Sequence, residues 1–104
     1  MKFVLISRHT GGLEPSPHEG EKLMKDLGSW LVSLRNPIAV PIRGGKSVTA
    51  NKIEDYVGDV GGVIMFEADS LADATRQAQG SPGLKFGWTH EVFPEISMES
   101  AANQ

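Results

Sequence analysis

The sequence predicts an α+β fold: one antiparallel sheet with two helices on one of its faces. Three observations carry that expectation. Apolar runs suited to buried strands occur near the start ("FVLIS") and past the middle ("GVIMFEA"). Two Ser-capped segments place apolar residues at helical spacing, and glycine and proline punctuate the intervals. With 104 residues the chain has room for one core, burying roughly 60 to 70% of its unfolded surface.

The elements follow in order. Residues 2–8, "KFVLISR", read as a mostly buried strand, and "HTGGLEP" follows as a flexible loop. "SPHE" announces a helix by three signals: Ser16 as N-cap, Pro17 at the first helical position and Glu19 completing a capping box. Leu23, Leu27, Trp30, Leu31 and Leu34 then form one core-facing stripe, and Pro37 stops the helix near Arg35 and Asn36. "IAVPIRGGKSVT" reads as a hairpin turning at Gly44 and Gly45, with Pro41 marking an edge or a bulge. Residues 51–62 lack clean periodicity and read as a loop, before the strand "GVIMFEA". Ser70 caps a short helix, with Asp73 at its third position and Leu71, Ala74, Thr75 and Ala78 on one face, which Gly80 ends. A final strand is expected from Leu84 to Val92, so that Phe86, Trp88, His90 and Val92 share a face. The domain then spans residues 1–96, and 97–104 form a polar tail.

Strand, helix, hairpin, strand, helix, strand is the split βαβ, ferredoxin-like βαββαβ pattern with an extra hairpin arm. Such a sheet keeps one uncovered face. If that face carries Phe86 and Trp88, a second copy of the chain is the expected cover.

Composition narrows the function classes. A formal charge of −3, with ten scattered Lys and Arg, offers no field for phosphate backbones, so no nucleic-acid partner is expected. The absence of cysteine removes disulfides, zinc-thiolate sites and thiol nucleophiles, which suits a reducing, cytoplasmic setting. "FVLI" is too short for a membrane span, so no membrane association is expected. No dinucleotide, Walker or nucleophile-elbow motif occurs, nor any metal-ligand spacing, and the expectation is a protein without cofactor or metal.

Several segments resemble the YCII-related proteins, the group that includes the DGPF-domain proteins. "GGVIMFEADSLADATRQAQGSP" is similar to their strand-to-helix segment, "SPHEGEKLMKDLGSWLVSL" to their first helix and "HEVFPEI" to their last strand. The resemblance covers most of residues 2–96. It implies a ferredoxin-like subunit forming a dimeric α/β barrel, with a cavity near each sheet. In members resembling enzymes it also implies a catalytic histidine near the start of the first helix and an aspartate. His18 is the positional match for that histidine, and Asp59, in "YVGDVGG", is the only acidic match where the Asp-Gly-Pro-Phe tetrapeptide would stand. Phe93 occupies a position where a basic residue is frequent.

The residues themselves allow two readings each. His18 lies nearly opposite the apolar stripe of its helix, as a solvated first-turn residue does. His90 enters either the barrel interior or the dimer seam, as a neutral core residue or as an acid-base group. Arg8 and His9 close the first strand, where they can meet an anionic ligand or simply mark the water boundary. Trp88 reads as core or pocket wall, and Asp59 would orient His90 or His18 if the fold brings them together. Three functions stay open. The chain can be a homodimeric small-molecule-binding module lined by Trp88, His90 and Arg8. It can be a cofactor-independent lyase or isomerase with a histidine base and Asp59, or a protein-interaction subunit without a ligand.

Overall fold

The computed structural model describes residues 1–10 and 13–98. The elements are β1 (Lys2–Arg8), α1 (Pro17–Ser33), β2 (Arg35–Pro41), β3 (Lys46–Val48), β4 (Ile53–Asp55), β5 (Val60–Glu67), α2 (Leu71–Gln79), a 3-10 helix (Pro82–Phe86) and β6 (Thr89–Pro94). Four strands form one antiparallel sheet in the order β2-β5-β1-β6, with β3 and β4 paired separately. Setting that pair aside, the order is the ferredoxin-like one expected from the sequence. The glycine pair of the loop after β1, residues 11–12, lies outside the described residues, as do 99–104 of the expected tail.

The core forms where β1 faces the helices. Phe3, Leu5 and Ser7 are buried on alternate positions, opposite Phe66, Ile64 and Gly62 of β5. The stripe of α1 settles on them, with Leu23, Trp30 and Leu34 buried and Leu27 and Leu31 half-buried. Its capping box forms as read: Ser16 Oγ accepts from the Glu19 N–H at 3.2 Å, and Glu19 Oε1 accepts from the Ser16 N–H at 3.0 Å. The helix ends at Ser33, and Asn36 takes φ +49° in a bulge of β2 just before Pro37. α2 reaches the sheet with alanines, Ala74 and Ala78; Leu71 and Thr75, expected inward, stay exposed. Small residues let its backbone lie close to β1 and β6.

Three expectations need correction. No hairpin turns at Gly44 and Gly45: β2 pairs with β5 as a sheet edge, where Pro41 is tolerated, and the chain runs on to β3. The hairpin that does form joins β3 to β4 through residues 49–52, so the supposed loop 51–62 contains a strand. The last strand begins at Thr89 instead of Leu84. Ser81-Pro82 starts a 3-10 helix, because proline presets helical φ, and Gly87 at φ +82° reverses the chain before Trp88.

The late start changes the facing of side chains. His90 and Val92 lie opposite Ser7 and Leu5, on the helix side, whereas Glu91 and Phe93 share the other side with Ile6 and Val4. The uncovered sheet face is therefore apolar, as expected, but carries neither Phe86 nor Trp88. Val4, Ile6, Ile38, Val40, Val63, Met65 and Phe93 supply it, with Ile38, Val40 and Phe93 about half exposed.

The molecule is flat and extended. The principal extents are 49 × 40 × 18 Å and the radius of gyration is 15.5 Å, against about 13 Å for a compact domain of this length. The chain exposes 7459 Å², whereas a monomer of its mass exposes about 5,700 Å².

Candidate functional site

The site grows from a bulge at the end of β1. Ser7 pairs with Gly62 but Arg8 with Val60, so Gly61 is the extra residue of β5. The bulge brings the loop before β5 against the end of β1, where the His9 N–H donates to the Asp59 carbonyl at 2.8 Å. Arg8 Nη1 donates to Asp59 Oδ1 at 2.8 Å, and Arg8 Nε donates to Glu91 Oε1. Glu91 reaches it diagonally across β1 and β6, two residues on along the same face. Bonds to Glu91 first and Asp59 second raise the arginine's pKa further above its already high value. One cation serves two carboxylates through two of its five N–H donors, so a ligand anion that meets Arg8 also meets the charges of Asp59 and Glu91.

Beside this cluster the His9 ring lies flat on the Trp88 indole, centroids 3.8 Å apart and planes 12° from parallel. Two glycines make the space. A Cβ on Gly61 would strike the His9 ring, and one on Gly83 would strike the benzo edge of Trp88. Burial against the indole lowers the His9 pKa, and the charge of Asp59 opposes that shift only in part.

His90 sits on the helix side. Its Nδ1 is 3.1 Å from the Thr89 carbonyl, which can only accept, so the neutral ring carries its proton on Nδ1 and presents Nε2 as a bare acceptor. The ring stacks on Trp30 at 6.0 Å and 10°, and the Trp30 Nε1–H donates to the Gln77 carbonyl at 2.9 Å. Burial lowers the His90 pKa; the Thr89 bond opposes this and the neighbouring His9 adds to it. His90 Nε2, Ser7 Oγ and Ser81 Oγ are buried without a protein hydrogen-bond partner. A cleft of about 370 Å³ between α2 and β6 runs past His90, lined also by Thr75, Ala78, Gln79, Leu84 and Val92.

Arg8, His9, Asp59 and Trp88 therefore meet at one end of the sheet, with His90 close enough for its titration to feel His9. His18 stands apart, exposed on the outer side of α1 in a shallow groove with Glu21, Lys22, Met24 and Lys25. Sequence reasoning missed Glu91, whose pairing with Arg8 needs the strand register. It also missed the roles of Gly61 and Gly83, for which "VGG" and "SPG" were the available signals. Among the described residues, no three His, Asp or Glu gather as a metal site would require.

Two outcomes follow from this geometry. Gly83→Ala must push Trp88 off its seat, with an expected cost of about 1–3 kcal/mol in urea denaturation and a weakened near-UV signal from the indole. Unchanged stability would mean that the ring is not seated there. Both imidazoles prefer neutrality in the folded chain, so just below their ordinary pKa of 6.5 the unfolded chain binds more protons. Their contribution to stability is present above pH 6.5 and is lost as pH falls through the lower folded values. Denaturation between about pH 7 and about pH 5 should show a decline that is shallower in the His9→Gln, His90→Gln double variant. Equal slopes for both proteins would show that neither imidazole is held neutral.

Comparison with known proteins agrees with the fold. Among solved structures, 5-chloro-2-hydroxyhydroquinone dehydrochlorinase (TftG) from Burkholderia phenoliruptrix, in complex with 2,5-dihydroxybenzoquinone, superposes with TM-score 0.58 at 17% identity. The match covers 96% of this chain and 98% of that one. A hydantoinase/carbamoylase family amidase from Burkholderia ambifaria gives TM-score 0.34 at 11% identity over 91% of this chain and 27% of that one, too weak to carry an argument. No curated protein matches in sequence. The profile of the YCII-related domain matches residues 1–94, nearly the whole described chain, and the chain belongs to that family.

Proposed function

We propose that the chain is a homodimeric module binding a small planar molecule at the Arg8 end of its sheet. The observation that carries the reading is the His9–Trp88 stack: an imidazole and an indole in parallel, seated on glycines, beside a charged cluster that can orient polar substituents. Flat aromatic surfaces next to a few fixed polar groups are what small-molecule sites are made of. The planar quinone bound by TftG, a neighbour in fold alone, suits the same class of ligand.

Dimerisation is the other half of the proposal. The exposed area exceeds that of a compact monomer of this mass by about 1,800 Å². A standard interface takes about 800 Å² from each partner. Ile38, Val40, Met65 and Phe93 on the open sheet face are the surface that a second copy would cover.

A second reading is a cofactor-independent proton-transfer enzyme of the lyase or isomerase type, since TftG is a dehydrochlorinase. Of the three histidines His9 is the one whose titration feels Asp59, through the charge of a carboxylate that Arg8 holds, and this favours it as the base; His90 has its own orienting bond to Thr89, and His18 has no described carboxylate partner. Titrating hydroxylated quinones and phenols against Trp fluorescence separates these readings. Saturable quenching, weakened about tenfold or more in Trp88→Leu, is the expected result. Quenching with turnover, abolished in His9→Gln, would move the assignment to the enzyme. No response from any such compound, with a dimer still present, would leave self-association as the purpose of the fold.

A further inference from the structure

The β3–β4 hairpin has no body of its own to rest on. Its three-residue strands pair only with each other and make no more than marginal contact with the main sheet and helices. A lone two-stranded hairpin of this size is marginal in water. Yet both of its ends are fixed. At the root, the Ile42 N–H donates to the Gly61 carbonyl at 3.2 Å, the Tyr56 N–H to the Gly45 carbonyl at 3.0 Å, and the Val60 N–H to the Tyr56 hydroxyl at 3.2 Å. At the tip, the Thr49 N–H donates to the Lys52 carbonyl at 2.9 Å.

What the hairpin displays is one-sided. Val48 stands directly opposite Ile53 with both side chains on one side, 70% and 71% exposed, flanked by the Lys46–Asp55 ion pair. Ser47 and Glu54 take the other side. Two apolar side chains held together in water at the end of a braced arm lack a partner surface among the described residues.

We infer that the hairpin is a clasp whose Val48–Ile53 side packs on the second copy of the chain seated on the open sheet face. This rests on the dimer proposed above. Continuity of the apolar surface identifies the occupant. Ile38 and Val40 lie on the open face of β2, Ile42 is next at the same spacing, and the arm leaves directly from there. A copy covering the open face is therefore led to the hairpin. A two-fold axis places both arms at once, each on the other subunit, so a single apolar pair is used twice per dimer. The surface excess of about 1,800 Å² leaves room for this contact beyond a standard sheet-to-sheet interface.

The test is a dilution series by analytical ultracentrifugation on the wild type, Ile53→Asp and Phe93→Asp. Ile53 is exposed in the single chain, so its substitution should leave the fold unchanged by circular dichroism. The clasp predicts a wild-type dimer whose dissociation constant rises about tenfold or more in Ile53→Asp. It also predicts that the amides of residues 46–55 exchange slowly in the dimer and fast in a Phe93→Asp monomer. If Ile53→Asp dimerises as tightly as wild type while Phe93→Asp dissociates, the clasp is wrong and the sheet-face dimer stands. A wild-type chain that is monomeric throughout would remove both.

Discussion

The register of β1 between β5 and β6 is the constraint on which the rest of the molecule depends. Because strand side chains alternate, setting Ser7 opposite both Gly62 and His90 decides at once what every neighbour does. Phe3 and Leu5 go under the helices, Val4 and Ile6 go to the open face, and Arg8 lands within reach of Asp59 and Glu91. A slip of one residue would turn the core outward and dissolve the charged cluster together. The Gly61 bulge then lets the chain leave that register at the sheet's end, where the site lies.

Local signals with a mechanism were legible in the sequence. Ser16, Pro17 and Glu19 specify a helix start by hydrogen bonding that needs no distant partner, and Ser70 with Asp73 does the same for α2. The ferredoxin-like order followed from elements of this kind. The failures share one cause, which is that alternation and glycine pairs do not say what they pair with. Phe86 and Trp88 alternate with His90 as strand residues would, yet Ser81-Pro82 carries the same start signal as Ser16-Pro17. Gly44 and Gly45 look like a hairpin turn, but the edge of β5 binds β2 more completely than β3 could.

Several residues that the candidate site brings together carry a signal in the sequence, but their geometry does not. Arg8, His9, Asp59 and Trp88 were singled out separately, and the fold assembles them across roughly fifty to eighty residues of chain. Glu91 and the glycine seats were invisible because their roles exist only in three dimensions. The consequence is chemical. Arg8 is already engaged by two carboxylates, while partial burial lowers the pKa of both imidazoles, His9 at the exposed end of β1 and His90 on the helix side. The ligand class proposed above follows from this: one that stacks and exchanges hydrogen bonds, rather than one recognised by charge alone.

The two ring pairs are the most direct signature of this arrangement, because each depends on the register and on the late start of β6. Nuclear Overhauser contacts among the aromatic side chains decide the matter. The account predicts cross-peaks from the His9 ring to Trp88 and from the His90 ring to Trp30. Cross-peaks from Trp88 to Phe86 and His90 in their place would mean that residues 86–92 form one strand with a shared aromatic face, and the site described here would not exist.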